Sequence, residues 1–192
     1  MRTLLFLVLF SFNSLAASNI QLQHELVSMA QSDQSIRNDI AKIGWNAPPP
    51  ELLEKLRLID AKNTKRLKEI IEQHAWVNEN LVGRSGVSAA FLIVQHSSDL
   101  KFQEAMLPHL KRSFLNGEGV SGQEFALLQD RVLVHQNKLQ LYGTQLNILD
   151  GELVFDPIFD EEHVDKRRAE VGLPPLDEYK KIVADAYGMS VK

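Results

Sequence analysis

The sequence predicts a mainly α-helical domain, a bundle of about five to seven helices with one small β-hairpin near the C-terminal third. Three observations carry that prediction. Apolar residues recur at steps of three and four through residues 20–136 and again beyond residue 160, the spacing that puts a continuous stripe on one face of a helix. The period drops to two around residues 138–158, on both sides of Asp150-Gly151, a pair suited to a two-residue hairpin turn. The 192 residues contain no cysteine, so a single hydrophobic core, without disulfides, has to hold the fold.

The N-terminus reads as a targeting segment. Arg2 precedes the apolar run Leu4 to Phe12, and Ser14-Leu15-Ala16-Ala17 supplies small residues at the positions before a cleavage point. The expectation is a signal peptide over residues 1–17 and an exported protein, periplasmic or secreted, with one mainly helical domain over residues 18–192. The run is shorter than the ~20 apolar residues that cross a bilayer. No later stretch is long enough either, so no stable membrane association is expected after cleavage. The net charge is −4, and Lys and Arg are spread along the helices instead of clustered, which argues against a nucleic-acid partner. A small-molecule ligand fits the composition, and no protein partner is indicated.

The first helix carries Leu22, Leu26, Met29, Asp33, Ile36, Ile40 and Ile43 on one stripe, and Asp33 occupies a slot where a hydrophobe belongs. Arg37 stands one turn on and can pair with it. After Gly44 and a proline linker, Pro50 suits a first helical turn, and the second helix runs from about Glu51 to Glu72. Its stripe is interrupted by Asp60 and Asn63. If the two helices form an antiparallel hairpin, these come level with Asp33 and Arg37. Residues 83–97 are apolar all round and so central, ending in Gln95-His96. Ser98 or Asp99 can cap the next helix, which holds Phe102, Gln103, Met106 and Leu110, with a kink or restart expected at Pro108.

Gly117 and Gly119 mark a turn. The following helix, about 121–136, carries Asp130-Arg131; neighbouring helical positions point ~100° apart, so the two cannot share one narrow face. Strands over 138–149 and 152–158 then pair Leu149 with Glu152 and Gln145 with Asp156, placing Tyr142-Gly143-Thr144-Gln145 on a strand. There Gly143 would admit a backbone or a ligand. A helical section from Asp160 ends at Gly172, and a short helix spans 177–187. Arg167-Arg168 could bind an anion, although cations also collect at a helix C-terminus for reasons of dipole alone.

Several stretches resemble a bacterial family, domain of unknown function 6624. They are Asp33-Gln34-x-x-Arg37, Asp60-x-x-Asn63, Leu81-Val82-Gly83, Gln95-His96, Phe102-Gln103, Leu107-Pro108 and Asp130-Arg131-Val132. Gln140-x-Tyr142-Gly143-Thr144-Gln145 and Arg167-Arg168-Ala169-x-Val171-Gly172 complete the set. Where the family usually reads Gly-Trp-Pro, this chain has Ala75-Trp76-Val77. The resemblance implies that the polar interruptions belong to a shared pattern. It implies no reaction.

A polar group taken out of water costs a few kcal/mol unless it finds partners, so these interruptions are expected to meet one another. His96, Asp130, Asp33, Asp60 and Tyr142 are the candidates for acid–base chemistry, with an aspartate orienting the imidazole. Arg37, Asn63, Gln95, Gln103, Arg131 and Gln145 are the candidates for substrate binding. Absence of cysteine and of a Gly-x-Ser-x-Gly elbow leaves water as the expected nucleophile. No cofactor is expected and no metal, because His-x-x-x-His spacing is missing and two arginines near a site disfavour a cation. Three readings stay open: a hydrolase or transferase, a non-catalytic binding module, and a structural protein whose polar network sets helix packing.

Overall fold

The computed structural model describes residues 18–45 and 47–192; the expected signal peptide lies outside the described residues. The most apolar segment sits at the centre, as its composition requires. This is α3 (Glu79–His96), where Val82, Val87, Ala90, Phe91, Ile93 and Val94 are buried. Gly83 interrupts it with φ 66 and ψ 168, and a side chain there would collide with the Gln23 amide. α1 (Ile20–Ile43) lies along α3, and α2 (Pro50–His74) returns antiparallel to α1 to cover both. Leu22, Leu26, Ile36 and Ile40 of α1 and Leu67 and Ile70 of α2 are the apolar stripe positions that this packing buries.

α4 (Leu100–Leu115) and α5 (Gly122–His135) pair on the other side of α3. Asp99 caps α4 by accepting the Phe102 N–H. Of the kink or restart expected at Pro108 there is no restart, since one helix runs through it; Pro108 is exposed, while Phe102, Met106 and Leu110 hold the helix to the core. α5 begins in a reciprocal cap, with Ser121 Oγ accepting from Glu124 N and Glu124 accepting from Ser121 N. Gly117 and Gly119 make the turn between them with positive φ.

The hairpin consists of β1 (Leu146–Leu149) and β2 (Glu152–Phe155), antiparallel in the expected register with Leu149 opposite Glu152. Asp156 N donates to Gln145 O, which continues that register one step. The strands are much shorter than expected, however, and Tyr142-Gly143-Thr144-Gln145 form a loop instead of a strand. The N–H groups of Tyr142 and Thr144 are drawn onto a buried carboxylate and that of Gln145 onto a buried carboxamide oxygen, both described below, and cannot also form a ladder. A single 3₁₀ turn (Glu161–His163) leads to α6 (Val164–Glu170), and α7 (Leu176–Tyr187) follows. Ser190 and Lys192 bond on either side of Leu153, laying the last residues beside β2. Among the described residues no helix is long and apolar enough to cross a membrane.

Gly122 shows how tightly α5 meets the C-terminal section. A Cβ added there would lie 2.1 Å from the Val171 carbonyl oxygen, a contact with backbone that cannot swing away. Gly122→Ala should therefore destabilise the protein by about 1–3 kcal/mol in urea denaturation, through overpacking.

Candidate functional site

Three helices deliver one charged cluster. Asp33 and Arg37 lie one turn apart on α1, and the Arg37 Nε donates to Asp33 Oδ1 at 3.0 Å. The antiparallel return of α2 brings Asp60 level, where Arg37 Nη2 meets Oδ1 at 3.0 Å and Oδ2 at 2.9 Å. The last residue of α3 completes the group: His96 Nδ1 lies 2.8 Å from Asp33 Oδ2 and 3.1 Å from Arg37 Nε. Gln34 Nε2 adds a bond of 2.8 Å to Asp33 Oδ2. Asp33 is only 2% exposed, so its charge depends on these donors.

Two contacts bear on the tautomer of His96: Arg37 Nε, 3.1 Å away and directed at Nδ1, calls for a lone pair there, whereas Asp33 Oδ2 at 2.8 Å calls for a proton. The shorter, charge-assisted contact outweighs the longer because Arg37 Nε has Asp33 Oδ1 as a second acceptor. A bare Nδ1 would set its lone pair against the Asp33 oxygen at 2.8 Å. With the proton on Nδ1, the ring donates to Oδ2 while Arg37 Nε donates to Oδ1, and both carboxylate oxygens are satisfied. Nε2 is then the unprotonated nitrogen, with no hydrogen-bond partner among the described residues, on a side chain 19% exposed. Burial lowers the His96 pKa and the Arg37 and Arg131 charges lower it further, against the Asp33 hydrogen bond and charge that raise it.

One guanidinium between two carboxylates compensates them unequally. Burial works to raise the Asp33 pKa, but the His96 hydrogen bond and charge, with Arg37 and Gln34, hold it down to about 2. Asp60 goes the other way: burial raises it to about 6, the nearby Asp33 adds to the rise, and Arg37 only partly offsets them. Arg37 stands among these groups, and among the described residues no three His, Asp or Glu side chains are placed to hold a metal ion.

α5 contributes Arg131 through α3. With the Gln95 carboxamide oxygen turned toward the guanidinium, the orientation its surroundings dictate, it accepts from Arg131 Nε at 2.8 Å and Nη2 at 3.2 Å. Gln95 is buried and Arg131 half-buried. Burial and the repulsion of Arg37 both lower the Arg131 pKa. The charged cluster therefore joins Asp33, Arg37, Asp60 and His96, with Gln95 and Arg131 adjoining.

Asp130, next in sequence to Arg131, serves a different place. Fully buried, it accepts from the backbone N–H of Leu141, Tyr142 and Thr144 and from Thr144 Oγ1, at 2.7–3.1 Å. Burial raises its pKa, and the converging donors oppose that. Gln140, also fully buried, finishes the loop: its oxygen accepts from Thr144 N and Gln145 N, and its nitrogen donates to the carbonyls of Gln145 and Asp156. Gly143 takes φ 65, and a Cβ there would meet Ile158 and Leu176 at 2.9 Å, so the open approach expected for it is filled by the protein's own side chains.

Other candidates also hold backbone. Gln103 Nε2 donates to the carbonyls of Val94, Gln95 and Ser97 and so closes the end of α3 beneath His96. Asn63 Nδ2 donates to Met29 O and ties α2 to α1. Tyr142 packs edge-on against Phe125, and Gln145 Nε2 bonds Thr144 Oγ1. Neither joins the charged cluster. Arg167 donates to the carbonyls of Leu141, Phe159 and Asp160. Arg168 is fully buried, donates to those of Tyr142, Gly143 and Pro174, and lies over the Tyr179 ring. Sequence reasoning missed the roles of Gln34, Gln140 and Arg168. For Arg168 a signal existed, since Val164, Arg168 and Val171 share one apolar stripe.

Several depressions border these elements. A cleft of about 370 Å³ has Arg37 in its wall, together with Asn38, Trp45, Ile148, Tyr187 and Met189. A larger one, about 550 Å³, lies between α1 and α2 over Ser32, Lys55 and Asn63, away from the imidazole. The comparisons with known proteins add one match: a model described as a family of unknown function (DUF6624) covers residues 20–192. No curated protein and no solved structure matches the chain.

Two outcomes follow from the geometry. Asp130→Asn turns an N–H donor toward other N–H donors, so it should cost about 2–4 kcal/mol and unprotect the amides of Leu141, Tyr142 and Thr144 in hydrogen exchange. Asp33 has a folded pKa near 2 against 3.8 for the free side chain. Its stabilisation is present above pH ~4 and is lost as the pH falls through about 2. Urea denaturation across this range should show a smaller acid-side loss for Asp33→Asn than for the parent.

Proposed function

We propose, for a chain that belongs to the DUF6624 family over residues 20–192, an acid–base enzyme that hydrolyses or transfers a group on a small polar or anionic substrate. One observation supports this reading above the others. His96 has Nδ1 bound to a buried aspartate and leaves Nε2 without a partner, the disposition a general base requires. In this reading His96 Nε2 removes a proton from water or a substrate hydroxyl. Asp33 keeps the ring in the required tautomer and stabilises the imidazolium that forms. Arg37 is not a substrate ligand here, because Asp33 and Asp60 already engage it; it positions Asp33. The proton is returned from Nε2 to the leaving group, which restores the neutral ring.

A different observation favours a structural reading. The bonds among Asp33, Arg37, Asp60 and His96 join α1, α2 and α3, so the same network can specify helix register without a ligand. We also propose export, on the basis of Arg2, the apolar run Leu4 to Phe12 and the small residues through Ala17. Mass spectrometry of the mature protein should then find a chain beginning after Ala16 or Ala17; an intact Met1 terminus would overturn export.

The enzymatic reading is tested by assaying the parent, His96→Gln and Asp33→Asn on a panel of esters, amides and phosphoesters. His96→Gln should lower turnover by about 10²–10⁴-fold with its circular dichroism unchanged. Turnover equal to the parent's would remove His96 from the chemistry. Unfolding of both variants, with no turnover by the parent on any panel member, would assign the network to packing.

A further inference from the structure

Arg131 carries a charge that no carboxylate answers. Arg37 has Asp33 and Asp60 against it, whereas no Asp or Glu oxygen comes within 4.0 Å of Arg131 among the described residues. The adjacent Asp130 points away and is fully engaged by the 141–144 loop. The neutral Gln95 oxygen takes the Nε and Nη2 edge, and Nη1 has no partner among the described residues. A half-buried guanidinium met only by an amide oxygen is an incomplete ion pair, and leaving such a charge unanswered is costly. Gln95 and His96 share the last turn of α3, and the Arg131 charge is near enough to the imidazole to lower its pKa, so the unanswered charge and His96 lie in one neighbourhood.

We infer that Arg131 is the recognition group for a carboxylate on the substrate, held by the guanidinium end that Gln95 leaves free, with the reacting group presented to His96. This rests on the acid–base reading of His96 and names the substrate class for it. The geometry suits a carboxylate because Nη1 and the outer N–H of Nη2 point in parallel and match two planar oxygens. The charge suits a monoanion. Arg37 is already shared between two aspartates, so a second negative charge on the ligand would face Asp33 and Asp60 without compensation.

Binding there carries a signature at His96. The charged groups facing the imidazole are Asp33 and Arg37 from α1, Asp60 behind Arg37 from α2, and Arg131 from α5; His135, exposed one turn on from Arg131, is the remaining titratable neighbour. A carboxylate on Arg131 cancels one of the two positive charges that depress His96. The imidazole pKa should then rise when the site fills.

The test uses the full chain with ¹⁵N-labelled histidine and arginine, titrated by NMR with sodium acetate and separately with inorganic phosphate at constant ionic strength. Acetate should bind saturably, shift the Arg131 resonance and raise the His96 pKa. Arg131→Met should weaken acetate binding by at least about tenfold. His96→Gln should retain acetate binding while losing turnover, so that failure of the carboxylate site and failure of the acid–base reading are told apart. Should Arg131→Met not fold, Gln95→Glu decides: it supplies the missing carboxylate internally, and acetate should no longer bind. Absence of saturable acetate binding, binding unchanged in Gln95→Glu or in a folded Arg131→Met, or phosphate binding more tightly than acetate would overturn the inference.

Discussion

A carboxylate moved from water into a protein interior must be surrounded by donors, and two such carboxylates organise this bundle. Asp33 gathers Arg37 and Gln34 from α1 and His96 from α3, and Arg37 extends the network to Asp60 on α2, so that three helices are tied together. Asp130 gathers backbone N–H groups and the Thr144 hydroxyl, and its shell is a loop. The first fixes how α1, α2 and α3 lie together. The second fixes where α5 hands the chain to the hairpin, and Arg168 closes that loop from the opposite side by occupying its carbonyls.

These two shells differ in what they leave free. Around Asp130 both carboxylate oxygens and both ends of Gln140 are engaged, and of the groups that close the loop only Arg168 Nη2 is buried without a partner among the described residues. Around Asp33 the shell is closed toward the core and open at His96 Nε2 and at Arg131. A network with unspent donors and acceptors at its edge is the place to look for chemistry, whereas a fully spent one specifies structure. Residues of the same types, drawn from the same sequence pattern, divide into these two roles.

Much of the architecture was legible in the chain. The broken stripes of α1 and α2 placed Asp33, Arg37 and Asp60 at one level, because antiparallel helices with a short connection have little freedom in register. Asp150-Gly151 placed the hairpin turn and its pairing. The strand expected through Tyr142 and Gln145 failed for a reason that local pattern cannot show: Asp130 captures N–H groups that a strand needs, 11 to 14 residues further on. A kink or a restart is expected from the sequence at Pro108, and tertiary packing of Phe102, Met106 and Leu110 carries α4 past it without a restart.

By itself the sequence determined which faces are apolar, and so the helical class, the hairpin register and the set of polar residues that had to be buried together. It could not sort that set, because whether a buried side chain is spent on backbone or left open depends on neighbours distant in the chain. Only the tertiary structure separated His96 and Arg131, which keep free nitrogens at the charged cluster, from Asp130, the Asn63 amide nitrogen and the Gln103 amide nitrogen, which are committed to holding the backbone. The physical reason is that hydrogen-bond capacity is finite, and its allocation is settled by where the helices bring each donor and acceptor.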